Sequence, residues 1–141
     1  MKRLVLIFSA LLFFSFLVPT AIYPIFIKEY NLYLYPEKGC KTVYSLKAND
    51  SITLKIDLLS CKGAMNVEVY MKGSLVEKGK YVNSLDLLKT CSNRTGFNRK
   101  ENKQITEIII SEYYQPLRDS LWTFYKNNSV TIINYKKGVQ Q

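Results

Sequence analysis

The side chains of this sequence best suited to covalent chemistry are Cys40, Cys61 and Cys91, together with the asparagines of three Asn-X-Ser/Thr triplets. Cys40 stands just ahead of one predicted strand and Cys61 just behind another, so both fall at turns that neighbouring strands can bring together. In an oxidising compartment the expected use is one disulfide, stapling a small core by about 2–4 kcal/mol. Three cysteines allow three single pairings. Cys40 with Cys61 is preferred, which leaves Cys91 buried as a small apolar residue or free to cross-link a partner. The triplets are Asn49-Asp50-Ser51, Asn93-Arg94-Thr95 and Asn127-Asn128-Ser129. Each is read as a turn from which a glycan on Asn49, Asn93 or Asn127 would project into solvent. As plain turn formers the same residues would need no glycan.

Other chemistry is thinly represented. The chain has no histidine among its 141 residues, which removes the commonest general base and the commonest metal ligand together. Ser-His-Asp and Cys-His arrangements cannot be built. Three scattered thiols lack metal-ligand spacing, and there is no glycine-rich phosphate loop. No cofactor, metal or catalytic residue is therefore expected. Asp57 and Glu68 take the solvated phase of their strands, and Glu107 in an Ile-rich segment is expected at an edge or in solvent. The stretch from Ser92 to Lys103 reads as a polar loop in which Arg94, Arg99, Lys100 and Lys103 surround Phe97. Such interleaving of basic and aromatic residues can hold an anionic polymer. A location outside the cytoplasm argues against nucleic acid, and a solvated loop accounts for the same residues.

The elements that must position these residues read as short strands. Ile52, Leu54, Ile56 and Leu58 alternate with Thr53, Lys55 and Asp57. After a turn at Ser60 to Gly63, Met65, Val67, Val69 and Met71 alternate with Asn66, Glu68 and Tyr70. Two successive period-2 runs around a short turn predict a hairpin with one buried face. Lys41 to Lys47 is a further strand candidate, and Tyr30 to Tyr35 alternates weakly before Pro36. Ser120 to Lys126 and Ser129 to Lys136 predict a second hairpin joined at Asn127-Asn128. Gln104 to Glu112 predicts a strand whose Ile108-Ile109-Ile110 run implies burial on both faces. Lys72 to Tyr81 reads as a loop on account of Gly73 and Gly79, and Ser84 to Cys91 as one short helix capped by Ser84. The expectation is an all-β body over 29–136, a small antiparallel β-sandwich with at most one short helix, followed by a polar tail over 137–141. A barrel fits the same pattern. Exposed tyrosines among Tyr33, Tyr35, Tyr70, Tyr113, Tyr114, Tyr125 and Tyr135 tilt the body towards recognition.

Ahead of the body, Leu4 to Ile27 carries no charge and follows Lys2 and Arg3. Its 24 residues, as one helix at ~1.5 Å per residue, would cross a hydrocarbon core of ~30 Å. The basic start then stays in the cytoplasm and the body lies outside. Residues 1–28 are read as a membrane anchor in preference to a signal peptide. The signal reading takes Leu4 to Val18 as its apolar core and cleaves after Thr20 or Ala21. Without Lys2 and Arg3 the body keeps 18 basic residues against 11 acidic ones, or +7.

The segment Tyr44 to Met71 (YSLKANDSITLKIDLLSCKGAMNVEVYM) resembles the central part of GOLD-type β-sandwiches, in which a leucine–turn–acidic–strand segment leads through a hairpin into a strand of alternating valines. It covers about a quarter of the chain. Cargo-receptor members of that family carry their membrane span at the C-terminus, whereas here it is N-terminal. The resemblance implies a non-enzymatic lumenal or extracellular interaction module. The leading expectation is thus a membrane-anchored, extracytoplasmic module for protein–protein or surface-assembly contacts, with a protein partner or self-association. The alternative is a secreted subunit, cut near Ala21, whose Ile22 to Tyr35 segment completes a neighbour's sheet and which polymerises or coats a surface. A membrane-associated enzyme is a third and weaker one.

Overall fold

Period-2 alternation becomes a ladder wherever one face finds a core. The computed structural model describes residues 21–141 as eleven strands: β1 (Ile25–Ile27), β2 (Leu32–Leu34), β3 (Val43–Lys47), β4 (Ile52–Leu58), β5 (Met65–Met71), β6 (Ser74–Val82), β7 (Leu87–Asn98), β8 (Lys103–Tyr114), β9 (Leu117–Lys126), β10 (Ser129–Lys136) and β11 (Val139–Gln140). They form a four-stranded sheet in the order β2-β1-β8-β7 and a seven-stranded one in the order β11-β10-β9-β6-β5-β4-β3. All pairings are antiparallel except β1 with β8.

The β4–β5 hairpin is as its pattern predicts. Leu54, Ile56 and Leu58 of β4 are buried beside Val69, Val67 and Met65 of β5, in direct register. Ile25, Ile27 and Leu34 of the smaller sheet join the same cluster, as do Tyr81 and Trp122. One core shared by two sheets gives an all-β architecture consistent with a β-sandwich. Fully burying an aliphatic side chain is worth about 1.5–3 kcal/mol, so this cluster dominates the stability. The Cys40–Cys61 disulfide is formed, with Cα atoms 5.1 Å apart, and ties the entry of β3 to the exit of β4.

The second predicted hairpin, β9–β10, also forms. Its Asn127 and Asn128 take φ of 47° and 61°, the left-handed values a two-residue hairpin turn requires. Lys72 and Gly73, at 48° and 83°, make the same turn between β5 and β6. Lys72 to Tyr81 is therefore mostly strand rather than loop. Gly79 was the misleading residue: it lies under Trp122, where a Cβ would overlap the indole ring.

Three further expectations are corrected. Ser84 to Cys91 is not a helix; Ser84 donates to the Asp86 carbonyl at 2.7 Å and accepts from the Gln115 N–H at 3.1 Å, and Leu87 starts β7. Ser92 to Lys103 is not a loop but most of β7 with the turn into β8. Residues 137–141 turn back through Lys137 and Gly138 so that β11 pairs with β10. Among the described residues the only helical turn is a 3-10 turn at Lys28–Tyr30.

The end of the apolar stretch belongs to the body. β1 pairs with β2, the Pro24 carbonyl accepts the Tyr114 N–H at 2.9 Å, and Ile25 and Ile27 are fully buried. A single membrane helix reaching Ile27 does not describe these residues, and Ile22 to Tyr35 is not a free strand. The rest of the stretch, as far as residue 20, lies outside the described residues. Within them no helix is long and apolar enough to cross a membrane.

Candidate interaction surface

β7 and β8 are 12 residues each and pair over their whole length, from Leu87↔Tyr114 to Asn98↔Lys103. Beyond its base this ribbon is an arm. Leu88 to Phe97 are all exposed, as are Thr106 to Ser111. The isoleucine run expected to be buried on both faces is corrected: Ile108 is 69% exposed and Ile110 66%. Neither sheet covers them. The run reflects strand propensity at an uncovered position rather than a core.

Cross-strand register sorts the side chains into two faces. On one, Cys91, Asn93, Thr95 and Phe97 stand opposite Ile110, Ile108, Thr106 and Gln104. These eight residues carry no charge in a protein of net +9. On the other, Ser92, Arg94 and Gly96 stand opposite Ile109, Glu107 and Ile105. Glu107 is exposed, as expected. Nearer the base, on the first of these faces, the Lys89 ammonium meets the Glu112 carboxylate at 2.9 Å.

The predicted site residues distribute as follows. Cys91 is a free, exposed thiol on the arm. Arg94 lies mid-strand, whereas Arg99, Lys100 and Lys103 cluster at the tip, so the four do not form a single loop. Asn93 is inside β7 and not in the expected turn; a glycan there would stand beside Ile108. Asn127 is at a hairpin turn. Asn49 is also in a turn, where its Oδ1 accepts from the N–H groups of Ser51 and Ile52, both at 2.9 Å. An N-linked amide keeps that oxygen, so a glycan on Asn49 is compatible with the turn.

At the base of the arm the outer face of the small sheet is aromatic. Phe26 and Tyr33 lie 4.6 Å apart between centroids, Tyr113 meets both edge-on, and Tyr35 stacks beyond Tyr33. Tyr33 and Tyr35 are exposed, in keeping with the recognition reading, whereas Tyr135 turns inward onto Trp122. Tyr113 stands on the same phase of β8 as Ile109 and Glu107, so this aromatic base continues the Ser92 and Arg94 face of the arm rather than the uncharged one.

The remaining polar groups of note face inward, and sequence reasoning missed them. Tyr30 donates to Glu77 at 2.5 Å, Tyr81 donates to Glu29 at 3.0 Å, and Arg118 bridges the two carboxylates, donating to Glu77 through Nη2 and lying 3.7 Å from Glu29 through Nε. The guanidinium stacks over Trp122 at 4.2 Å. Burial pushes the Glu77 carboxyl up, and its contacts with Tyr30 and Arg118 only partly offset that. Burial, reinforced by the neighbouring carboxylates, raises the Tyr30 and Tyr81 hydroxyls. Arg118 stays protonated, since Tyr81 and Glu77 outweigh the opposing effect of burial. The cluster pins β6, β9 and the Lys28–Tyr30 turn together. The one sequence signal was Glu77 on the same phase as Gly79 and Tyr81.

A shallow trough of about 530 Å³ lies on the solvent face of the large sheet, where Lys55, Glu68 and Lys78 form a cross-strand ladder of alternating charge. Among the described residues no group of three metal-ligating side chains comes together. Comparison with protein-family models, with curated proteins and with solved structures finds no match to this chain.

Proposed function

We propose that this chain is a non-enzymatic, extracytoplasmic β-sandwich module, held at a membrane by the apolar segment ahead of its body, whose β7–β8 arm makes protein–protein or surface-assembly contacts. The observation that carries the reading is the arm itself. A two-stranded ribbon is at best marginally stable alone in water, and a third strand or a packed face is what stabilises one. Among the described residues nothing gives this arm such cover, and it projects uncharged Ile108, Ile110 and Phe97 into solvent.

The location is supported by three further features. The body begins at Tyr23, so the 19 uncharged residues from Leu4 to Ile22 remain for a span; as a helix they cover about 28 Å. A body starting there would sit directly on the membrane surface. The Cys40–Cys61 disulfide suits an oxidising exterior, where glycans on Asn49 or Asn127 would also be added. The likeness of Tyr44 to Met71 to GOLD-type sandwiches points to the same kind of module.

A secreted subunit is the second reading. The observation favouring it is that cleavage after Thr20 or Ala21 would leave β1, with its buried Ile25 and Ile27, in the released chain. Its assembling strand would be β7, since Ile25 and Ile27 are committed to their own core.

The test is site-specific photo-cross-linking in cells that make the full chain, with the probe at Phe97 or Ile108 and a control probe at Thr53 on the large sheet. Discrete protein adducts from the arm positions alone are expected. Arm positions that give no adduct, or no more than Thr53, overturn the reading. N-terminal sequencing of the same material separates anchor from secreted subunit: Met1 identifies the first, and a start near Ile22 the second.

A further inference from the structure

The two edges of the arm are not equivalent. β7 is the outer strand of its sheet, and among the described residues its far side has no neighbouring strand along all 12 residues. β8 is flanked at its base, because β1 runs parallel to it at Ile25↔Tyr114 and the Tyr23 ring packs edge-on against Tyr114. The chain leading into β1 therefore occupies the near end of the β8 edge, whereas among the described residues the β7 edge is open from end to end. Such an edge presents a row of unpaired N–H and C=O groups that another strand can satisfy.

Resting on the reading of the arm as a contact element, we infer that β7 pairs antiparallel with β7 of a second copy about a two-fold axis at Cys91, joining two arms into one four-stranded ribbon. Charge selects this occupant. The cations of the edge already have acids across the ribbon, Lys89 with Glu112 in an ion pair and Arg94 opposite Glu107, so β7 does not solicit an acidic partner. A second +9 chain is repelled wherever like charges meet. With the axis at Cys91, Leu87 faces Thr95 of the partner chain, Leu88 faces Arg94, Lys89 faces Asn93 and Thr90 faces Ser92. No cation meets a cation. An axis at Lys89 or at Arg94 would set that residue against itself. The antiparallel arrangement also carries the two basic tips to opposite sides of the axis. The paired edge is about 30 Å long, well short of the ~800 Å² per partner of a standard interface, so the pairing is weak and reversible in dilute solution.

Cys91 on the axis serves as the reporter. Full-length protein in detergent micelles is treated with oxidised glutathione, which takes two electrons and two protons from two Cys91 thiols and leaves two glutathione thiols. The expected result is a Cys91-linked dimer forming at least tenfold faster than the dimer of a Cys91→Ser, Lys100→Cys control with its thiol at the tip. A mixture of Lys89→Cys and Asn93→Cys chains, each with Cys91→Ser, should link as heterodimers in preference to either homodimer. Thr90→Lys with Ser92→Lys, and equally Thr90→Glu with Ser92→Glu, should slow the Cys91 linkage tenfold or more. Thr90→Glu with Ser92→Lys should restore it, because each acid then faces a base. These positions are exposed, so folding is not at stake. Equal rates at Cys91 and Lys100→Cys, or no difference among the three charge pairs, overturn the inference. Photo-adducts from Phe97 to a different protein, with no Cys91 dimer, overturn it while leaving the arm as a contact element.

Discussion

Gly79 and Trp122 show how much one small residue can decide. β6 passes directly beneath the indole, and Trp122 donates its ring N–H to the Lys80 carbonyl at 3.1 Å, so the ring cannot move aside without losing that bond. Gly79→Ala should therefore destabilise the protein by about 1–3 kcal/mol, read as a lower urea midpoint at unchanged slope. The neighbouring charge cluster sets a pH dependence. Glu77 binds its proton more tightly in the folded state than its ordinary value of 4.5. Its contribution is therefore most favourable below that value, and stability falls as pH rises through the raised folded value. Glu77→Gln should remove this decline, making the urea midpoint flatter above pH 4.5 than in the wild type. Arg118→Met, by contrast, leaves two carboxylates without their cation, one of them only 13% exposed, and should cost about 3–5 kcal/mol at neutral pH. Beyond the shared phase of Glu77, Gly79 and Tyr81, none of this was legible in the sequence. A glycine inside a strand looks like a turn former until the residue that needs its space is known, and Glu77 meets Arg118 only because β6 pairs with β9 across an insertion of some thirty residues that includes the arm.

The strands fall into two groups by what their sequences disclose. β4 and β5 announced themselves because the core takes one of their faces and imposes period 2, and β9 and β10 because a two-asparagine turn joins them. β7 and β8 did not, because no core touches most of their length. Without a buried face nothing demands alternation, so Ser92 to Lys103 looked like a loop and Ile108-Ile109-Ile110 looked like a core strand. The core contains no residue between Lys89 and Ser111. Replacing Cys91 to Ile110 by a two-residue turn should accordingly leave the body folded, with its urea midpoint within about 0.5 kcal/mol of the wild type. A body that unfolds on this change would mean the arm is structural and not a contact element. The disulfide acts on the large sheet, where it ties the entry of β3 to the exit of β4. Replacing Cys40 and Cys61 together by Ala should remove about 2–4 kcal/mol, since the bridge closes a loop of 21 residues in the unfolded chain.

At the scale of the whole molecule, the boundary between the proposed membrane segment and the body is the feature the sequence blurred most. Leu4 to Ile27 is continuous in hydropathy, because membrane span and buried strand select the same residues and hydropathy cannot tell them apart. Only pairing does: β1 takes its partners from β2 and β8, and its two isoleucines enter a core shared by both sheets. This gives the boundary a sharp energetic signature. A chain beginning at Ile22 keeps every contact of the described body and should unfold in urea as a single cooperative transition. A chain beginning at Lys28 loses two fully buried isoleucines, each worth about 2–5 kcal/mol when truncated, together with the strand that links β2 to β8. Against a total stability of about 5–15 kcal/mol that loss is not survivable, and the shorter chain should show neither cooperative unfolding nor near-ultraviolet circular dichroism. Cooperative folding of the chain from Lys28 would mean that β1 is dispensable, and the apolar run could then extend into a membrane as far as Ile27 after all.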